Sequence, residues 1–220
     1  MTDSALAVEP GSEAGNDTGA LTETTRLEAF SDGVFAIAIT LLVLEVKVPS
    51  VEEADAVGGV FRALATRWPS YVGYAISFGT LGIMWANHHS MFQYIHRTNR
   101  NFLLINIFFL MCISFLPFPT ALLAEYLPHV EGRTEATACY GAMLTLIAVA
   151  YNLVWWYGVR GGGGRLLGSD IDRRGVATIS ARYRLGPVGY LVATGLAFLS
   201  VPLSLAVHTA LALLFAKAER

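Results

Sequence analysis

Charge is scarce in this sequence, and that scarcity is the first constraint on what it can be. Of 220 residues only 15% are Asp, Glu, Lys or Arg, against 54% hydrophobic, where a soluble domain usually carries about 25% charged residues. Residues 69–86, 101–124, 136–159 and 185–216 contain no charged residue at all. A helix needs roughly 20 predominantly apolar residues to cross the hydrocarbon core, and the surface helices of a soluble fold need a polar face. Stretches of this kind in so small a chain exclude a soluble globule. They predict an all-α, polytopic integral membrane protein.

Other absences narrow the function. Cysteine occurs only as Cys112 and Cys139, both in or beside apolar segments, which reads as small buried hydrophobes and not as a disulfide framework. There is no CxxC or HExxH spacing, no Walker-type phosphate loop and no Gly-x-Gly-x-x-Gly run, so no standard carrier of zinc or nucleotide chemistry is in view. A formal net charge of -2 implies no nucleic-acid partner. Met1 to Ala20 is acidic, rich in Gly, Ser and Thr, and free of aromatic residues. It lacks the basic start and apolar run of a signal peptide and reads as a disordered tail. The expected organisation is a disordered cytoplasmic tail over 1–22 and a transmembrane domain over 23–218.

Six spans are expected, at about 26–48, 68–88, 100–118, 137–157, 183–200 and 203–217. The first is unusual, because its charge-free stretch between Asp32 and Glu45 is only 12 residues, near 18 Å as helix and short for a bilayer. A full span must therefore include Asp32, and an ionisable group in the membrane needs a partner or a wet cavity. This helix is expected to be the one least exposed to lipid. The third segment is expected to end at Pro117-Phe118-Pro119, and the fourth on the aromatic belt of Trp155, Trp156 and Tyr157. Gly161 to Gly164 is expected to break the chain flexibly. Residues 185–216 are too long for one crossing, and a turn between Ser200 and Ser204, around Pro202, is expected to divide them in two, six spans being favoured while hydropathy alone leaves five open.

Charge placement favours even parity. With an inside N-terminus and six spans, the inner segments carry Arg26, Arg97, Arg100, Arg160, Arg165, Arg173, Arg174, Arg182, Arg184, Lys217 and Arg220, and the outer loops Lys47, Arg62, Arg67 and Arg133. That is 11 against 4, in the direction of the positive-inside rule, with both termini cytoplasmic in a multi-pass cell-membrane protein.

Three constellations can carry function. In the run from Arg26 to Gly33, residues Arg26, Phe30 and Gly33 share one helical face, and Glu28 and Asp32 share another. Asp32 needs a partner, and Arg26 lies about 100° away in azimuth on an ideal helix, so a partner on another helix is open; the bland alternative is that Ser31 or Asp32 caps the helix. Trp85, His88 and His89 end the second span, where a histidine is expected to hydrogen-bond to Asp32, Ser31 or a backbone carbonyl across a helix interface. Beyond Asp32, Ile37, Thr40, Leu41 and Leu44 fall at i, i+3, i+4 and i+7. The stripe either packs on another helix or, if copies meet around an axis, makes an apolar constriction with one ring of hydroxyls.

At these residues the sequence resembles the bacterial branch of the TMEM175 family of potassium-permeable channels. The family mark, Arg-x-x-x-Phe-Ser-Asp on the first transmembrane helix, stands here as Arg26, Phe30, Ser31 and Asp32, and the Trp85-x-x-His88-His89 ending of the second helix is similar to the family as well. The resemblance spans about residues 24–218. It implies a six-helix fold, a homotetramer with the first helices lining a central pore, and a constriction at Ile37, Leu41 and Leu44 with the hydroxyl of Thr40 beside it. Arg26, Phe30, Ser31 and Asp32, with His88, would form a network that supports the pore without lining it. One departure is β-branched Ile37, where bacterial relatives often carry leucine. The Thr-Val-Gly-Tyr-Gly loop of ordinary potassium channels is absent.

The leading expectation is thus a passive, potassium-permeable cation channel in a bacterial cell membrane. It implies no catalysis, no cofactor and no metal beyond permeating K+, and its partners are further copies of itself, lipids and monovalent cations. The alternative is a secondary transporter, proton-coupled through Asp32 and the histidines, although no inverted repeat relates the two halves. A membrane-embedded enzyme is the third and weakest reading.

Overall fold

A computed structural model describes residues 22–169, 171 and 173–216. All of the expected tail but Thr22, together with the terminal Lys217 and Arg220, lies outside the described residues. Apart from two-residue strands the chain is all-α. Strand β1 (Thr22–Glu23) leads into α1 (Thr25–Leu41), which tightens into a 3-10 turn over Leu42–Glu45. Short helices α2 (Val51–Val57) and α3 (Val60–Thr66) follow, then α4 (Trp68–Met91), strand β2 (Arg97–Thr98), α5 (Arg100–Phe115), α6 (Pro117–Tyr126) and α7 (Arg133–Arg160). After a 3-10 turn at Gly161–Gly164 come α8 (Arg173–Tyr183), α9 (Leu185–Leu196) and α10 (Val201–Ala216).

Three helical stretches among the described residues are both long and apolar enough to cross a membrane: Thr25–Glu45, Arg100–Tyr126 and Arg133–Arg160. Helix α4 has the length, with 24 residues, but it carries Ser, Thr, Asn and His along its course. Helices α9 and α10 are shorter, at 12 and 16 residues. Six crossings therefore do not follow from length and hydropathy.

The prolines behave differently from expectation. Pro117 does not end the third segment; it opens α6, which runs on to Tyr126. In a first turn a proline forfeits no intrahelical donor. Leu116 closes α5 by donating its N–H to the Ile113 carbonyl at 3.2 Å, and Thr120 N–H and Oγ1 both return to the Leu116 carbonyl, at 3.2 and 2.9 Å. Pro202 likewise sits in the first turn of α10, so the chain turns at Ala197–Ser200, ahead of the expected Ser200–Ser204. The Gly161–Gly164 break folds as a single 3-10 turn.

Helix α7 runs through the centre. Tyr140, Leu144, Ile147, Tyr151, Val154 and Gly158 recur at spacings of three and four and are all buried. The helix packs against α5, α6, α9 and α10. Gly158 is needed there, because a Cβ would collide with Ile95 Cδ1, and at Gly141 a Cβ would lie 2.6 Å from Thr194 Oγ1. In lipid, close packing of this kind holds helices together without help from water.

At one end the loops are stitched together. Thr22 and Glu23 pair antiparallel with Thr98 and Arg97. On the other side of that segment, His96 and Arg97 donate their backbone N–H groups to the Leu166 carbonyl at 3.0 and 3.2 Å, and Ile95 bridges Leu167. The start of α1, the α4–α5 connection and the stretch after α7 thereby hold one another in place.

Candidate functional site

Helix α1 has two unlike faces. Leu27, Ser31, Phe35, Ala38 and Leu42 recur at spacings of four and three and are buried against α4 and α5. The opposite side is open: Phe30 is 56% exposed, Ile37 62%, Leu41 42% and Leu44 68%, with Gly33 and Thr40 exposed between them. Among the described residues nothing covers this apolar face, which is suited to lipid or to another copy of the chain.

Ser31 and Asp32 of α1 point the other way. Ser31 and Asp32 lie well inside the helix, which begins at Thr25, so neither caps it. Asp32 Oδ1 accepts a hydrogen bond from Trp85 Nε1 of α4 at 2.8 Å. One residue earlier, fully buried Ser31 donates its hydroxyl to the Leu27 carbonyl at 2.8 Å and accepts from Asn106 Nδ2 of α5 at 3.0 Å. Asn106 Oδ1 lies 2.9 Å from His88 Nε2 of α4. An amide oxygen can only accept, so His88 carries its proton on Nε2. The donors then run in one direction, from His88 through Asn106 and Ser31 to the Leu27 carbonyl.

Aromatic rings close over this chain. The His88 ring stacks on Phe109 with centroids 5.4 Å apart and meets Phe35 at 5.6 Å and Phe92 at 5.0 Å. An uncompensated polar group in such surroundings costs roughly 1–3 kcal/mol, so the three helices are held in one register.

Ser31, Asp32, Trp85 and His88 are thus brought together. His88 does not reach Asp32, Ser31 or a carbonyl directly; its partner is Asn106, which sequence reasoning missed. The available signal was a carboxamide set inside an uncharged apolar run, costly unless bonded. Arg26 is exposed, with no hydrogen bond or ion pair to any described residue, and Phe30 is on the open face. His89 lies beside Trp85, ring centroids 6.3 Å apart, and outside the hydrogen-bonded chain. Thr40 Oγ1 has its own carbonyls at hand, Ala36 O at 2.8 Å and Ile37 O at 2.9 Å, which occupy its proton and leave oxygen lone pairs to accept. Among the described residues no three His, Cys, Asp or Glu side chains gather to hold a metal ion.

Between α1 and α5 runs a shallow groove of about 370 Å³, lined by Phe30, Val34, Ile37, Leu41, Ile107 and Met111 among others. Ile107 and Met111 are themselves 50% and 58% exposed, so the open apolar surface of α1 continues onto α5.

A family model described as "Endosomal/lysosomal potassium channel TMEM175" matches residues 26–117. A potassium channel of Streptomyces collinus is 44% identical over 195 residues, 89% of this chain and 92% of the relative. A potassium channel of Chamaesiphon minutus is 47% identical over 194 residues, 88% of this chain and 94% of that protein. Among solved structures, one described as a lysosomal potassium-selective channel TMEM175 homolog from Chamaesiphon minutus superposes with a TM-score of 0.81 at 44% identity, covering 89% of this chain and 97% of the other.

Proposed function

The chain belongs to the TMEM175 family of channels, an all-α, multi-span membrane fold, and we propose that it is a passive, potassium-permeable cation channel. In this reading it works as a homotetramer with six spans per chain and cytoplasmic termini, four copies of α1 surrounding the axis. The observation that carries the reading is the two-faced α1. Ser31 and Asp32 are bonded to α5 and α4, while Ile37, Thr40, Leu41 and Leu44 stay exposed among the described residues.

Each copy contributes one residue to every ring. Rings of Ile37, Leu41 and Leu44 make an apolar constriction that passes ions when wide enough to hold water and blocks them by dewetting when narrow. The Thr40 ring lies within it, and hydroxyl oxygens whose protons are occupied by the helix's own carbonyls replace part of a cation's hydration shell. The groove between α1 and α5 supports self-association, since a neighbour's apolar side chains fill it. Ser31, Asp32, Trp85, Asn106 and His88 act behind the pore, fixing the rotation of α1. Arg26 and Phe30, exposed among the described residues, are the members of the motif that contact a neighbouring copy. The permeant ion needs no cofactor and no reaction.

The test is the reversal potential of purified protein in a planar bilayer with potassium on one side and sodium on the other. A current reversing towards the potassium equilibrium value supports the channel. Substrate-saturable exchange without measurable current gives the place to the transporter.

A further inference from the structure

Six arginines lie between Arg160 and Arg184, and only two acidic residues, Asp170 and Asp172, share that stretch. The ion pair formed by described residues, Arg67 with Glu53, precedes α4, at the opposite end of the bundle. Helix α8 holds this positive stretch in place. Trp155 of α7 donates its indole N–H to Ser180 Oγ at 2.8 Å and meets Tyr183 edge-on with centroids 5.3 Å apart. Asn152 donates to the Tyr183 carbonyl at 2.9 Å. With Val176 and Tyr183 buried, α8 is seated on the end of α7, and Arg173 at its head and Arg184 just after it are exposed.

Those cations border apolar surface. Arg184 runs directly into α9, where Leu185, Val188 and Val192 form an exposed stripe at i, i+3 and i+7, 62%, 62% and 56% accessible. On α7 the exposed Arg160 follows Trp156 by one turn, and Trp156 is itself 51% exposed. Helices α8 and α9 pack on α7 and on each other, whereas α1 packs on α4 and α5. The patch is therefore on the flank of the bundle away from the open face of α1.

We propose that this flank is a docking surface for anionic lipid headgroups. Arg160, Arg173 and Arg184 meet headgroup phosphates along this flank, and the acyl chains lie along Leu185, Val188 and Val192. Guanidinium groups match phosphate oxygens in geometry and charge, and basic residues at the membrane surface attract acidic lipids. A phosphate free in solution satisfies the arginines but gains nothing from the apolar stripe; a lipid uses both. The proposal rests on the membrane-spanning fold and not on conduction, so a silent channel leaves it intact.

The test titrates the thermal unfolding midpoint of the full-length protein in neutral detergent with phosphatidylglycerol or phosphatidylcholine. Phosphatidylglycerol is expected to raise the midpoint by about 3 °C or more, phosphatidylcholine to leave it unchanged, and about 0.5 M NaCl to remove most of the rise. The combined Arg160→Gln, Arg173→Gln, Arg184→Gln variant is expected to need about tenfold more phosphatidylglycerol for half the effect. Arg62→Gln, at the opposite end, responds as the parent does. Equal responses to the two lipids, or a triple variant indistinguishable from the parent, overturns the proposal. So does a full response to inorganic phosphate alone, which marks a site for free phosphate. If the triple variant does not fold, the lipid and salt comparisons on the unaltered protein decide.

Discussion

Asn106 of α5 stands between His88 of α4 and Ser31 of α1, 2.9 Å from the histidine Nε2 and 3.0 Å from the serine hydroxyl. One carboxamide thereby joins three helices. Asn106→Leu leaves a donor on His88 and an acceptor on Ser31 unpaired in a dry interface, at a cost of about 1–3 kcal/mol. Thermal unfolding in detergent is expected to show a lower midpoint and a smaller yield of assembled protein. An unchanged midpoint would mean that packing alone fixes the register.

Asp32 and Trp85 permit a separation of charge from hydrogen bonding. Asp32→Asn keeps an oxygen to accept from the indole N–H, whereas Asp32→Ala removes it. The asparagine variant is expected to retain most of the parent's stability and the alanine variant to lose about 1 kcal/mol or more, read from the same unfolding curves.

The open face of α1 makes the sharpest functional prediction. Ile37→Ala or Leu41→Ala is expected to raise potassium flux into sealed vesicles several-fold, because a wider apolar ring dewets less readily. Thr40→Val preserves shape but removes the hydroxyl, so the potassium-to-sodium permeability ratio is expected to fall while current persists. Unchanged currents and permeability ratios in Ile37, Thr40, Leu41 and Leu44 variants alike would sink the pore assignment.

Gly141 tests the packing of the central helix. A Cβ there would lie 2.6 Å from Thr194 Oγ1 and 3.0 Å from the His208 ring, and overpacking of this kind costs about 1–3 kcal/mol. Gly141→Ala is expected to destabilise the protein by that order. Gly79→Ala, at a position open to at least 4 Å, is expected to have little effect.

Glu53 supplies a pH dependence in the connection between α1 and α4. Its carboxylate accepts from the Ser50 backbone N–H at 2.9 Å and from Arg67 at 2.7 and 2.9 Å. The Ser50 backbone bond first, and Arg67 after it, hold the Glu53 carboxyl below its ordinary value. A depressed carboxylate pKa contributes stability above the unfolded value, and that contribution is lost as pH falls through the folded one. Hydrogen exchange at the α2 amides is expected to quicken on acidification through that range. In Glu53→Ala, which removes the acceptor oxygens, the exchange should already be fast at neutral pH and show no such step.

Some of this was legible in the residues. The charge-free runs declare a membrane protein because each is an additive property of neighbours, and Asp32 announces a need for a partner because a carboxylate in a membrane has a definite cost. The alternation along α1 is legible too, since a period near 3.6 fixes which side chains share a face. The prolines were misread because a proline near a helix terminus reads equally as the end of one helix or the first turn of the next. Only the carbonyl partners around Leu116 and the start of α10 resolve that ambiguity.

By itself, then, the sequence determined that this is a helical membrane protein, and it marked Asp32, the histidines and the aliphatic stripe as residues needing explanation. The tertiary structure decided that Trp85 answers Asp32, that Asn106 mediates between His88 and Ser31, and that the stripe is left open. Hydropathy and helical periodicity are local sums that the chain carries at every stage. A hydrogen-bond partner 53 or 75 residues away is selected only when packed helices set distance and direction at once.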